Sequence, residues 1–270
     1  MANVFSILPG RRNLFCILII STLLASCAKS TDAPLESLSK LKGDKELKKC
    51  NIVKIIEFSG PYLPATFYFE YDARNNPVRV MPVGGNSLYP VYLFRYDKKG
   101  RLCDYIIADK ELTGFYGWHR YVYDNKNRIV IDTVYIFGTY GDVPLNYRQD
   151  LSYVTTYEYD SQDRIITATA FYPTIPGPTA VAEHYAYDEA GNLVTPGAVY
   201  DDKVNIHRTN SVWMFLARDY SVNNPLTMST YNQYQLPTQT NTLQYYYPFA
   251  RMLTPQYIEY DCKGNQETKY

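Results

Sequence analysis

Phe94-Arg95-Tyr96-Asp97-Lys98-Lys99-Gly100-Arg101-Leu102 is the stretch on which the fold turns. Phe94 and Tyr96 are two residues apart, so in an extended chain both rings leave the same side of the backbone. Asp97 suits the first position of a type I turn, where its carboxylate accepts turn N–H groups. Gly100, three residues later, enters the left-handed region without steric cost. A type I turn followed by a left-handed residue closes a short hairpin, and Leu102 then opens the return strand. The stretch predicts two antiparallel strands joined by a tip at Asp97 to Gly100.

The pattern repeats. Phe69-Glu70-Tyr71-Asp72, Tyr121-Val122-Tyr123-Asp124, Tyr157-Glu158-Tyr159-Asp160, Tyr185-Ala186-Tyr187-Asp188 and Ile258-Glu259-Tyr260-Asp261 carry the same spacing. Asn75, Gly100, Asn127, Asp163, Gly191 and Gly264 stand three places past the aspartates, and all are residue types that tolerate positive φ. With Tyr200-Asp201 there are seven Tyr-Asp pairs, where random order of 29 tyrosines gives about two. Leu102, Ile129, Ile165 and Leu193 follow the tips as return-strand starts. Arg101, Arg128 and Arg164 beside the tips read as solvated hairpin ends rather than an anion site. The long interval before Tyr260 has room for two worn units, marked by Asn223-Asn224-Pro225, which copies Asn75-Asn76-Pro77, and by Tyr231-Asn232 running to Leu236-Pro237. Cys50 to Ile56 alternates like a first strand, and the terminal Lys269-Tyr270 offers no hydrophobic cap for a last one. Longer connections at Pro82 to Pro90, Gly138 to Asn146 and Pro173 to Pro178 are expected to emerge together.

The motif aromatic-x-Tyr-Asp-x-x-Gly-Arg-Leu resembles the YD repeat of Rhs-type proteins, teneurins and related toxin shells. Tyr96 to Leu102 matches it fully, Tyr123 to Ile129 and Tyr159 to Ile165 replace only the glycine, and Tyr187 to Leu193 has Asn192 for arginine. The resemblance implies an all-β fold of successive antiparallel β-hairpins, forming a twisted sheet or a short β-roll of YD-like repeats. Large relatives enclose cargo in a shell, but six clear units are too few for that, so only the hairpin architecture carries over.

The N-terminal part is read as an address. Arg11 and Arg12 precede the apolar run Leu14 to Leu24, which is shorter than the roughly 20 residues of a membrane-spanning helix. Leu24-Ala25-Ser26-Cys27 resembles the lipobox of bacterial lipoproteins, which implies cleavage before Cys27 and a lipid on its sulfur. The expected organisation is a signal peptide over 1–26, a polar tether over 27–49 and a β-hairpin domain over 50–270. Ala28 after the cysteine, in place of aspartate, implies by the same resemblance the outer membrane, on either its periplasmic or its cell-surface face. Loss of both signal arginines takes the formal charge from zero to −2, and such a balance gives no electrostatic case for nucleic acid. Beyond Cys27, three cysteines are left, Cys50, Cys103 and Cys262, which allow one disulfide in any of three pairings.

Catalytic signatures are scarce. The three histidines, His119, His184 and His207, form no metal-protease spacing, and there is no Gly-x-Ser-x-Gly elbow or nucleotide fingerprint. His119, just ahead of a repeat strand, reads as a sheet-surface residue. The expectation is a non-enzymatic protein without cofactor or metal, linked to the membrane by its lipid and binding a protein or glycan partner. The alternative is a surface glycan-binding lipoprotein that stacks sugars on exposed Tyr116, Trp118, Trp213, Tyr245, Tyr246 and Tyr247, with Trp118 and Trp213 as the leading candidates.

Overall fold

In a computed structural model, which describes residues 50–57, 64–84, 89–141, 146–173, 177, 179–225, 228–240, 245–246, 251–252 and 256–262, the Tyr-Asp turns fold as their residues require. The expected signal segment, Cys27 and the expected tether lie outside the described residues. At Asp97 the backbone N–H donates to Arg101 O at 2.8 Å, and Gly100 N–H donates back to Asp97 O at 2.9 Å. Asp97 Oδ1 accepts the N–H groups of Lys99 and Arg101, each at 2.9 Å. The same set recurs at Asp72, Asp124 and Asp160. Asn75, Gly100, Asn127, Asp163 and Gly191 all have φ between 60° and 84°. The turn is therefore set by an aspartate and a residue type that tolerates positive φ at fixed spacing.

Because each tip reverses the chain, the strands pair in sequence order. β1 (Cys50–Glu57), β2 (Ala65–Tyr71), β3 (Pro77–Gly84), β4 (Val91–Tyr96), β5 (Leu102–Ala108), β6 (Gly114–Tyr123), β7 (Ile129–Thr139), β8 (Arg148–Tyr159), β9 (Ile165–Tyr172) and β10 (Thr179–His184) form an antiparallel meander. All Tyr-Asp tips of the meander lie at one end of the strands. The connections from β3 to β4, β7 to β8 and β9 to β10 fall at the other end, as the expectation that they emerge together requires.

The last strand corrects the expected order. β17 (Gln256–Cys262) is not an edge: it pairs antiparallel with β1 and, on its other side, with β14 (Pro237–Thr240), which pairs with β13 (Met228–Tyr231). The sheet reaches 13 strands in the order β10 to β1, then β17, β14 and β13. Cys50 stands opposite Cys262 in this pairing, and the two form the disulfide, across 212 residues. Cys103 takes no part in it, and its Sγ–H reaches Asp104 Oδ2 at 3.7 Å.

The worn units are real hairpins, one in an unexpected form. Asn232 replaces aspartate between β13 and β14, accepting Tyr234 and Leu236 N–H on Oδ1, with Gln235 at φ 64°. Asn223-Asn224-Pro225 closes the turn that Tyr200-Asp201 opens. β11 (Tyr200–Val204) pairs with β12 (Asn223–Pro225), and Asp201 Oδ1 accepts Lys203 N–H and, 23 residues away, Asn224 N–H. The tip between them is replaced by a 3-10 turn (Ile206–Thr209) and a helix α1 (Ser211–Ala217). Asn210 caps α1 with its side chain and Arg218 ends it at φ 52°. Short strands β15 (Tyr245–Tyr246) and β16 (Arg251–Met252) pair with each other.

Burial follows the two-residue period. Phe69, Phe94, Tyr121 and Tyr157 occupy one repeat slot on β2, β4, β6 and β8 and face the same side. Helix α1 lies on them: Trp213 meets Phe69 and Phe94 edge-on at 5.8 and 5.5 Å between ring centres, and Phe215 meets Tyr121 and Tyr157 at 5.3 Å each. Such pairs add about 0.5–1.5 kcal/mol each beyond the area they bury. The tyrosines of most Tyr-Asp pairs link neighbouring units. Tyr96 Oη–H donates to Pro77 O, Tyr123 to Leu102 O, Tyr159 to Ile129 O and Tyr260 to Pro237 O, at 2.6–2.9 Å. In these four the acceptor is the first residue of the preceding return strand, whereas Tyr71 Oη–H donates to Ile52 O within β1. Tyr123→Phe is expected to lower the unfolding free energy by about 1–2 kcal/mol, since it also strips the partly buried Leu102 carbonyl of this donor. Exposed Tyr116→Phe changes it by less than about 0.5 kcal/mol. Urea titrations of the two variants check this.

Candidate functional site

Trp118 and Trp213 are both wholly buried, which corrects the expectation that their rings face solvent. Trp213 is held under α1 by the repeat aromatics. Trp118 points to the opposite face of the sheet, beside Ile106, Ala108 and Phe115. There its Nε1–H donates to Asp104 Oδ1 at 3.0 Å, and the Arg95 guanidinium lies 5.0 Å above its ring. Arg120 Nε also donates to Asp104, so this buried carboxylate is fully engaged. Tyr116 is exposed as expected and meets Phe137, which is half exposed and has φ 47°. A bulky residue rarely adopts that conformation. The side chains of Tyr245 and Tyr246, and Tyr247 as a whole, lie outside the described residues.

The tip arginines also depart from their solvated reading. Arg101 donates from Nε to Asp97 Oδ2 at 2.8 Å and stacks 4.5 Å from the centre of Tyr123, the tyrosine of the next unit. Arg128 does the same with Asp124 and Tyr159, and Arg164 with Asp160 and Tyr187. Arg128 also reaches Asp163 of the next tip at 2.9 Å. Each arginine thus spans two units.

One polar constellation stands apart from the repeat's own bonding. His119 lies within β6, and Asp132 on the neighbouring β7 is buried on the helix-covered face. His119 Nδ1 and Asp132 Oδ2 are 2.8 Å apart. Tyr157 Oη–H, from β8, approaches the same oxygen at 3.4 Å. Asp132 Oδ1 and the Tyr121 hydroxyl are both buried without a hydrogen-bond partner. Burial, then the Asp132 carboxylate, push the Tyr121 and Tyr157 phenols well above their ordinary range. Gly117, two residues before His119 on the same face, leaves open the space beside Nε2, 3.9 Å from where a Cβ would stand. The arrangement orients an imidazole and offers one acceptor and one hydroxyl to a small hydrogen-bonding guest, such as a buried water. A second histidine–carboxylate pair, His207 with Asp219 at 3.2 Å, braces the inserted turn below α1. The histidine spacing in the sequence gives no sign of either pair, because each joins elements brought together by the fold.

Burial dominates the other tyrosines too. It raises the phenols of Tyr71, Tyr96, Tyr123 and Tyr159 above their ordinary value of 10.0, and it pushes Tyr153 up to about 12. A folded state with raised phenol values keeps protons that the unfolded chain loses. The stabilisation is complete below pH 10 and is lost as pH rises from there towards the folded values. The phenolate absorbance of the buried tyrosines is expected to appear in one step that coincides with loss of β circular dichroism. Ionisation of all tyrosines with circular dichroism intact overturns this.

No known protein family matches the chain, and no curated protein sequence matches it.

Proposed function

We propose that this chain is a small YD-repeat-type lipoprotein, anchored by a lipid on Cys27 to the outer membrane, with a non-enzymatic binding or structural β domain. The observation that carries the reading is the use of the repeat's polar groups. Tip aspartates accept turn amides, tip arginines bind those aspartates and stack on the next tyrosine, and most repeat tyrosines donate to the preceding unit. The residues that define the motif are thereby engaged in building a sheet. The Cys50–Cys262 disulfide supports export, since such bonds persist in oxidising compartments. Radiolabelled fatty acid is expected to enter the protein in cells and to be absent from Cys27→Ala. Label that persists in the variant removes the anchor from this reading, and protease shaving of intact cells assigns the membrane face.

A second reading, glycan capture, draws on Tyr116 and Phe137. They form an exposed aromatic pair at the end of the sheet away from the Tyr-Asp tips, with the strained backbone of Phe137 beneath it. On a glycan array, binding that falls at least about fivefold in both Tyr116→Ala and Phe137→Ala supports this reading, in line with a stacking contribution of about 1 kcal/mol or more. An array without binding, or binding indifferent to both changes, rejects it.

A further inference from the structure

The fifth Tyr-Asp hairpin has lost its second strand. Tyr187 bridges Leu193 and Val194 N–H donates to Ala186 O at 2.8 Å, so the return begins normally. It stops at Thr195-Pro196-Gly197, where Ala198 N–H turns back to Thr195 O and Gly197 adopts φ 74°. Pro196 has no N–H to extend a ladder. By contrast, the return strands β5 and β9 run for 7 and 8 residues. Among the described residues β10 consequently pairs with β9 alone, and all six of its residues are exposed.

This edge lacks three of the devices that protect one, proline, lysine and a bulge. Its register with β9 runs unbroken from Thr179 to His184. Val181 is half exposed on the helix-covered face, and Phe171 of β9, opposite Ala180, is similarly exposed on the other face.

We propose that the vacant strand position is filled by β10 of a second copy, joining two 13-stranded sheets across a twofold axis. The segment is self-complementary in that arrangement. Residues facing one another across an antiparallel pair must lie on the same side of the sheet. A register centred on Val181 sets Val181 against Val181 of the second copy, Ala180 against its Ala182, and Thr179 against its Glu183. The centre is apolar and no like charges oppose. Glu183, the one formally charged group of the strand with His neutral, is already bound to Arg218 at 2.5 Å. The truncated returns at Leu193 and Val194 sit beside Ala186 and Tyr187, past the tip-side end of the paired window, so they leave it clear. An isologous contact of this kind closes on itself and makes a dimer, not a fibre.

Sedimentation of the full chain in detergent tests the proposal. A dimer is expected, converted to monomer by Val181→Lys, which opposes two ammonium groups at the twofold axis. Unchanged circular dichroism of that variant separates lost pairing from lost folding. Mild oxidation of Val181→Cys is expected to give a cross-linked dimer at least about tenfold faster than Val83→Cys, an exposed site on an inner strand, because only the former faces its own copy at disulfide distance. A monomer at every concentration, or a dimer that survives Val181→Lys while Val181→Cys cross-links no faster than Val83→Cys, overturns it. A foreign strand bound to a monomeric chain counts against it in the same way.

Discussion

A single carboxylate oxygen accepting two backbone amides at the Asp72, Asp97, Asp124 and Asp160 tips underlies the sheet. A half-buried turn amide without a partner costs about 1–3 kcal/mol, and the aspartate removes that cost for the amide four residues on, the other amide being exposed. Its second oxygen holds the arginine that stacks on the next unit. The left-handed residue three places on then adds a one-residue bulge, visible as the register shift at Arg95/Tyr96 and its counterparts. The strand enters each tip with Tyr and the preceding aromatic on the same face, so the repeat spacing places four large rings in a row. Everything that packs on that face, including α1, depends on the tips sharing one backbone geometry.

Much of this was legible because it is local. The tip needs only aspartate, a left-handed residue and a following aliphatic, all within six positions, and even Asn232 with Gln235 satisfies it. What escaped the sequence is non-local. Asp201 and Asn224 act as one turn, but 22 residues separate them, so Asn223-Asn224-Pro225 read as a unit of its own. Helix α1 is short, and its run Val212 to Leu216 has no two-residue or helical polarity that distinguishes it from a strand. Trp118 illustrates a further limit. Alternation says which residues share a face, but not that Asp104 and Arg95 would cover its ring.

The His119–Asp132 pair was invisible for the same reason. Its members come from separate strands that the repeat brings into register, and neither belongs to the repeated motif. Two buried polar atoms beside them, Asp132 Oδ1 and the Tyr121 hydroxyl, have no hydrogen-bond partner. They stand where the row of repeat rings gives way to polar groups, next to the only histidine of β6.

The Cys50–Cys262 bond has a mechanical consequence. It lies at the first described residue and at the last, and it joins two strands that are already neighbours. Tension entering the domain through residue 49 passes across this bond into β17, without loading the 212-residue path between the two sulfurs. The hairpins therefore hang from a closed covalent loop. They cannot be peeled one after another from the end that is pulled, and their order under load rests on a sulfur–sulfur bond, not on the weaker hydrogen bonds of the meander.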